Sequence, residues 1–178
     1  MKLSIHSYKK KFHNQKLLIN IIIVVALISR IPVIYFFGDS GLQNEWLVII
    51  KNLTNHEEFA FRNFGGFFVP NLYLPPLYIW FLYIFNIFNL SYENYINLIL
   101  FIQAILASVS VATFYLICKK FFSNNLSLLL TVIFSFFPTY LYACGQISSI
   151  TLYIFLILLF LFYILKVSKN RNINIYFT

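Results

Sequence analysis

Residues 30–90, RIPVIYFFGDSGLQNEWLVIIKNLTNHEEFAFRNFGGFFVPNLYLPPLYIWFLYIFNIFNL, hold four of the five acidic residues of the chain: Asp39, Glu45, Glu57 and Glu58. The fifth, Glu93, follows just past the end of the stretch. On either side the chain is mostly long apolar runs with Lys or Arg at their ends. A chain that gathers its carboxylates into one connector between apolar segments places its polar chemistry there.

The whole chain has 178 residues, 61% hydrophobic and 21% aromatic. Its mean hydropathy is +0.81. Only 10% is charged, where a soluble domain would have about a quarter. These values identify an integral membrane protein and exclude a soluble enzyme. The net charge of +8 does not imply nucleic acid as a partner. The basic residues flank apolar runs, where they set topology at a bilayer surface. Cys118 and Cys144 fall inside apolar segments and form no disulfide framework or metal cluster pattern. His6, His13 and His56 have no ligand spacing, so no metal is indicated, and no other cofactor.

The N-terminus, residues 1–16, is a basic head with Lys2, Lys9, Lys10, Lys11 and Lys16. Residues 17–37 follow as a first span, interrupted by Arg30 and long enough to cross about 30 Å of hydrocarbon. The run ends in bulky Ile, Tyr and Phe rather than small residues, which favours a retained helix over a cleaved signal. Residues 38–93 form the connector. Within it, Asn44–Asn55 reads as a short amphipathic helix with Trp46, Leu47, Ile50 and Leu53 on one side. Val69-Pro70 and Leu74-Pro75-Pro76 force extended backbone. Leu77–Leu90 is apolar but short for a crossing. Further spans are expected at 94–117, 126–142 and 146–165, with a tail at 166–178.

Charge decides the topology. If Leu77–Leu90 lies in the interface, four spans remain. The head, Lys119–Lys120 and the cluster Lys166, Lys169 and Arg171 then share the cytoplasmic side, and all the acids face the other. The positive-inside rule selects this arrangement. Tyr78, Trp80 and Tyr83 then sit at headgroup depth, where such rings prefer to lie. The expectation is an all-α membrane protein with about four transmembrane helices. It is multi-pass in the cytoplasmic (inner) membrane, with its N-terminus in the cytoplasm and the lipid bilayer as its first partner.

In order, the connector runs Gly38-Asp39, Glu45-Trp46, an amphipathic helix, then Pro75-Pro76-Leu77-Tyr78 leading into an aromatic helix. The later segment LICKKFFSNNLSLLLTVIFSFFPTYLYACGQISS has a basic pair, a polar turn, an apolar helix, a Pro and Tyr-x-x-Gly. This order resembles the N-terminal portion of the GT-C superfamily of membrane glycosyltransferases. The nearest branch is that of the dolichyl-phosphate-mannose protein mannosyltransferases and bacterial aminoarabinose lipid A transferases. Ile79 stands where that family often has Pro, and Ser149 where many members carry Glu. The resemblance spans nearly the whole chain but about the first third of a typical member, so the chain is expected to be a fragment of the full enzyme.

The resemblance implies transfer of a sugar from a polyprenyl-phosphate donor to an extracytoplasmic lipid, glycan or protein, with Asp39 as the catalytic carboxylate. A carboxylate beside the acceptor hydroxyl can take its proton as it attacks the anomeric carbon. A nearby cation stabilises the phosphate leaving group. Arg30, Lys51 and Arg62 are the basic residues on that side, and Arg30 and Arg62 join Glu45 as the expected substrate-binding residues. The competing reading of Asp39 is a helix cap, and that of Glu45 a solvated helix face. Arg30 is expected to snorkel outward, to pair with Asp39 or to meet a phosphate. The alternative to an enzyme is a non-catalytic remnant or a small four-span assembly protein.

Overall fold

The computed structural model describes residues 2–170 apart from 43, 63–65 and 72, with side chains from Gln15 to Ser168 other than at 44 and 62. The chain is all-α with one small hairpin. Helix α1 covers Lys2–Phe37, α2 Asn44–His56, and strands β1 Ala60–Arg62 and β2 Phe68–Pro70 pair antiparallel. Then come α3 Pro76–Ile84, continued by a 3-10 turn Phe85–Phe88, α4 Tyr92–Phe121, α5 Asn124–Ser135, α6 Pro138–Ala143 and α7 Ile150–Asn170.

Local chemistry sets the element ends. Pro75 is extended and Pro76 opens α3, where its missing N–H is one the helix leaves unpaired anyway. Asn89 ends the 3-10 turn in the left-handed region, φ 47°, which Asn tolerates better than most residues. Glu93 lies in the first turn of α4 and Lys119 and Lys120 in its last. Both complement the helix dipole.

Three helices are long and apolar enough to cross a membrane: Gln15–Phe37, Tyr92–Phe121 and Ile150–Ser168. The segment expected as one span at 126–142 is instead α5 and α6, broken at Phe136–Phe137. Pro138 is the cause, since its ring drives Phe137 out of helical geometry (φ −61°, ψ 119°). By itself α5 is about 18 Å long, too short to cross. Together the two pieces still carry the chain from the Lys119–Lys120 end of α4 back to the end of α1. There Asp39 N–H donates to the Gly145 carbonyl at 2.9 Å.

At the centre stands α4. In its most apolar stretch 61% of residues are buried, against 11% in α1 and 17% in α7. Small residues, Ala104, Ala107, Ser108, Ser110 and Ala112, line its buried surface and let neighbouring backbones approach. The hydroxyls of Ser108, Ser110 and Thr113 donate to the carbonyls four residues back, at 2.7, 2.8 and 2.9 Å. That satisfies them where no water is at hand.

The connector folds onto one end of this bundle. Trp46, Ile49, Ile50 and Leu53 of α2 join Tyr78, Ile79 and Leu82 of α3 and Tyr95, Ile96 and Ile99 of α4 in one buried cluster. Phe59 and Phe61 pack against it. Phe67 and Phe68 are not part of it; Phe67 is largely exposed and Phe68 lies against the His56 ring, centroids 5.3 Å apart, while Phe64 lies outside the described residues. Trp80 faces outward beside Tyr83, ring centroids 5.8 Å apart.

The close approach at α4 gives the first prediction. Ala107 is fully buried in the cluster with Ala26 and Tyr140, so Ala107→Leu overfills a tight contact and should cost about 1–3 kcal/mol. Thermal melts in detergent should show a lower midpoint for Ala107→Leu, and no change for Phe160→Leu on the exposed side of α7.

Candidate functional site at the end of the bundle

The turn between α6 and α7 cannot hydrogen-bond itself completely, and side chains from the end of α1 and from α4 complete it. Asp39, just past the end of α1, donates its N–H to Gly145 O at 2.9 Å. Its Oδ2 accepts from the Ile147 N–H at 2.7 Å. Gln146 Nε2 donates to Phe37 O at 2.8 Å, one of the last carbonyls of α1, which have no partner inside the helix. From α4, Gln103 Nε2 donates to Gln146 O at 2.7 Å and to Cys144 O at 3.4 Å. Its Oε1 accepts from Tyr78 OH at 2.7 Å. Tyr78 is fully buried, with Trp46 edge-on 5.1 Å away. Burial first, then the charges of Tyr95 and Asp39, push the Tyr78 hydroxyl well above the ordinary tyrosine value, so it stays a donor.

Asp39 also lines a cleft of about 760 Å³ between α1 and α4. Ser40, Glu93 and Asn97 share the polar end of its lining, and Ile31, Ile34, Ile96, Leu100 and Phe101 the apolar part. A second groove, about 320 Å³, holds Lys51, Thr54, Asn55, Asn86 and Asn89 between α2 and the start of α4. Tyr92 stands at that groove, its hydroxyl accepting from Leu42 N–H at 2.8 Å.

The sequence-predicted residues are dispersed. Asp39 is half-buried at the junction, whereas Glu45 is exposed in the first turn of α2. Glu57 and Glu58 are exposed on the turn after α2. Arg62 sits in β1, and its side chain lies outside the described atoms. Arg30 neither snorkels outward nor meets Asp39. It is 0% exposed, and its Nη1 donates to Ala26 O at 2.7 Å and Ser29 Oγ at 3.3 Å. That direction is one turn back along α1, away from Asp39. The guanidinium lies 5.6 Å from the Tyr140 ring centroid, whose negative face takes the place of an acid. Trp46 is part of the core. Asn52, the acceptor position of an Asn-Leu-Thr sequon, is buried, and its amide nitrogen donates to Ala60 O at 2.6 Å.

Gln103 is the residue that sequence reading passed over. A lone amide in an apolar run was the signal, because such a group has to find partners inside the bundle. Among the described residues no three His, Cys, Asp or Glu side chains gather as a metal site. No protein-family model, curated protein or solved structure matches the chain.

Gln103→Leu removes the amide that serves two buried carbonyls and the Tyr78 hydroxyl. Each group left unpaired costs about 1–3 kcal/mol. The variant should melt well below the parent in detergent, and further below than Tyr78→Phe, which leaves Gln103 Nε2 in place.

Proposed function

We propose that the chain carries the outer-face site of a membrane glycosyltransferase, with Asp39 as general base and a polyprenyl-phosphate sugar as donor. The supporting observation is the position of Asp39 at the polar end of a cleft whose other lining is apolar. A lipid-linked donor and a polar acceptor meet at such a boundary. In the reaction the acceptor hydroxyl loses its proton to Asp39 and its oxygen bonds to the anomeric carbon. The phosphate departs with the electron pair of the broken bond. None of the basic residues lines the Asp39 cleft among the described residues, so the charge on the leaving group has to be met from elsewhere.

The proposed topology has the Lys119–Lys120 end in the cytoplasm and the Asp39 end outside, with α3 in the outer interface and α5–α6 as one broken crossing. A cysteine placed at Asn55, exposed on α2, should be labelled by an impermeant maleimide from outside. One placed at Asn124 should be labelled only after permeabilisation. The opposite pattern would invert the assignment.

A second reading rests on the Ile147 N–H bond to Asp39, which is what a purely structural residue would make. Membranes of the host organism supplied with labelled polyprenyl-phosphate sugar separate the two. Asn offers the same amide acceptor but no base. A base predicts a fall of about 10²–10⁴-fold in transfer for Asp39→Asn at unchanged expression. Near-parent transfer would leave Asp39 as structure alone and favour a non-catalytic assembly protein.

A further inference from the structure

Arg30 is the one Lys, Arg, Asp or Glu side chain that is fully buried among the described residues, and its guanidinium is only half bonded. It is fully buried, about 10 Å before the end of α1 at 1.5 Å per residue. Both of its hydrogen bonds come from Nη1, and Nε and Nη2 have no partner among the described residues. Those two nitrogens form one edge of the guanidinium fork, the edge that grips a phosphate or carboxylate with two parallel bonds. At this depth an uncovered Arg would extend to the headgroup layer. Here it is turned the other way and covered.

Its cover is α6. Tyr140 lies over the guanidinium, and Cys144 closes the same cluster. The helix has six residues, with the break at Phe136–Phe137 before it and the Cys144–Ser149 turn after it. Its far end is tied to α1 by the bonds of Asp39 to Gly145 and Ile147 and of Gln146 to Phe37. On its other side the cover is held by α4, through Tyr140 OH to Ala107 O at 3.2 Å and Gln103 Nε2 to Cys144 O at 3.4 Å, so its break at Pro138 is the hinge and the Asp39 bonds are its latch to α1.

We propose that Arg30 is the binding group for the phosphate of a lipid, and that α6 is the lid over it in the latched conformation. Release of the Asp39–Ile147 bond would uncover the cation and free the carboxylate in one movement. This deepens the function proposed above, whose donor carries such a phosphate, but its test reads lid opening rather than transfer.

Cys144 is 0% exposed beside Tyr140 and reports on the lid, while Cys118, buried on α4, serves as the internal control. In phosphatidylcholine nanodiscs, polyprenyl phosphate should speed N-ethylmaleimide labelling of Cys144 at least several-fold and leave Cys118 unchanged. Inorganic phosphate should have no effect, and Arg30→Gln should abolish the response to the lipid. Asp39→Leu should speed Cys144 labelling without any lipid. Gln146→Leu, which cuts the bond to Phe37 O, should do the same and stands in if Asp39→Leu does not insert. A Cys144 rate that polyprenyl phosphate leaves unchanged would overturn the proposal, as would a response that survives Arg30→Gln. A response to inorganic phosphate would overturn the lipid assignment, and equal acceleration at Cys118 would reduce the effect to general loosening. Lid opening without sugar transfer would sustain this inference while the enzyme reading fails.

Discussion

A turn at the end of a membrane bundle must find partners for its own backbone groups, because hydrocarbon offers none. The turn from Cys144 to Ser149 meets this demand with borrowed side chains. Asp39 receives the Ile147 N–H, and Gln103 covers the carbonyls of Cys144 and Gln146. Gln146 in turn closes the open end of α1 at Phe37. Three helices whose other contacts are mostly small and apolar are thereby fixed in register at one level. The connector helices are referenced to that level through Tyr78, whose hydroxyl ends on Gln103.

Asp39 thus has two demands on one carboxylate. As an acceptor of a backbone N–H it gives a charge-assisted bond of about 1.5–3 kcal/mol. As a base it has to offer a lone pair to a substrate proton. A carboxylate has two oxygens and about four acceptor positions, so the demands are compatible, and the Ile147 amide can serve to orient the group. The same arrangement explains why Arg30 lies apart from it: the guanidinium is held one turn down α1 by Ala26 and Tyr140.

The long apolar runs were legible from composition and length, and so were the start of α3 at Pro75-Pro76 and the amphipathic α2. Each depends on local chemistry. The break in α5–α6 was half legible: Pro138 was visible, but a proline in an apolar run either kinks a helix or ends it, and Phe137 decides which. Asp39 could be singled out as an acid after the first span. Its partner, the Ile147 amide, lies 108 residues away, and no local pattern encodes that pairing. The direction of Arg30 was illegible for the same reason, since it depends on Tyr140 arriving from another helix.

The central burial of α4 also orders events during synthesis. Its neighbour α7 is mostly lipid-facing and can enter the bilayer as an independent helix. Gln103 cannot be so independent: its carbonyl partners at 144 and 146 lie 41 and 43 residues later in the chain. Until the ribosome has delivered them, both Gln103 and Asp39 face the bilayer or the translocation machinery without their final bonds. Helix α4 therefore enters the membrane with a debt of unpaired amide groups. It must be held near protein or water, rather than released into lipid, until the last helix arrives.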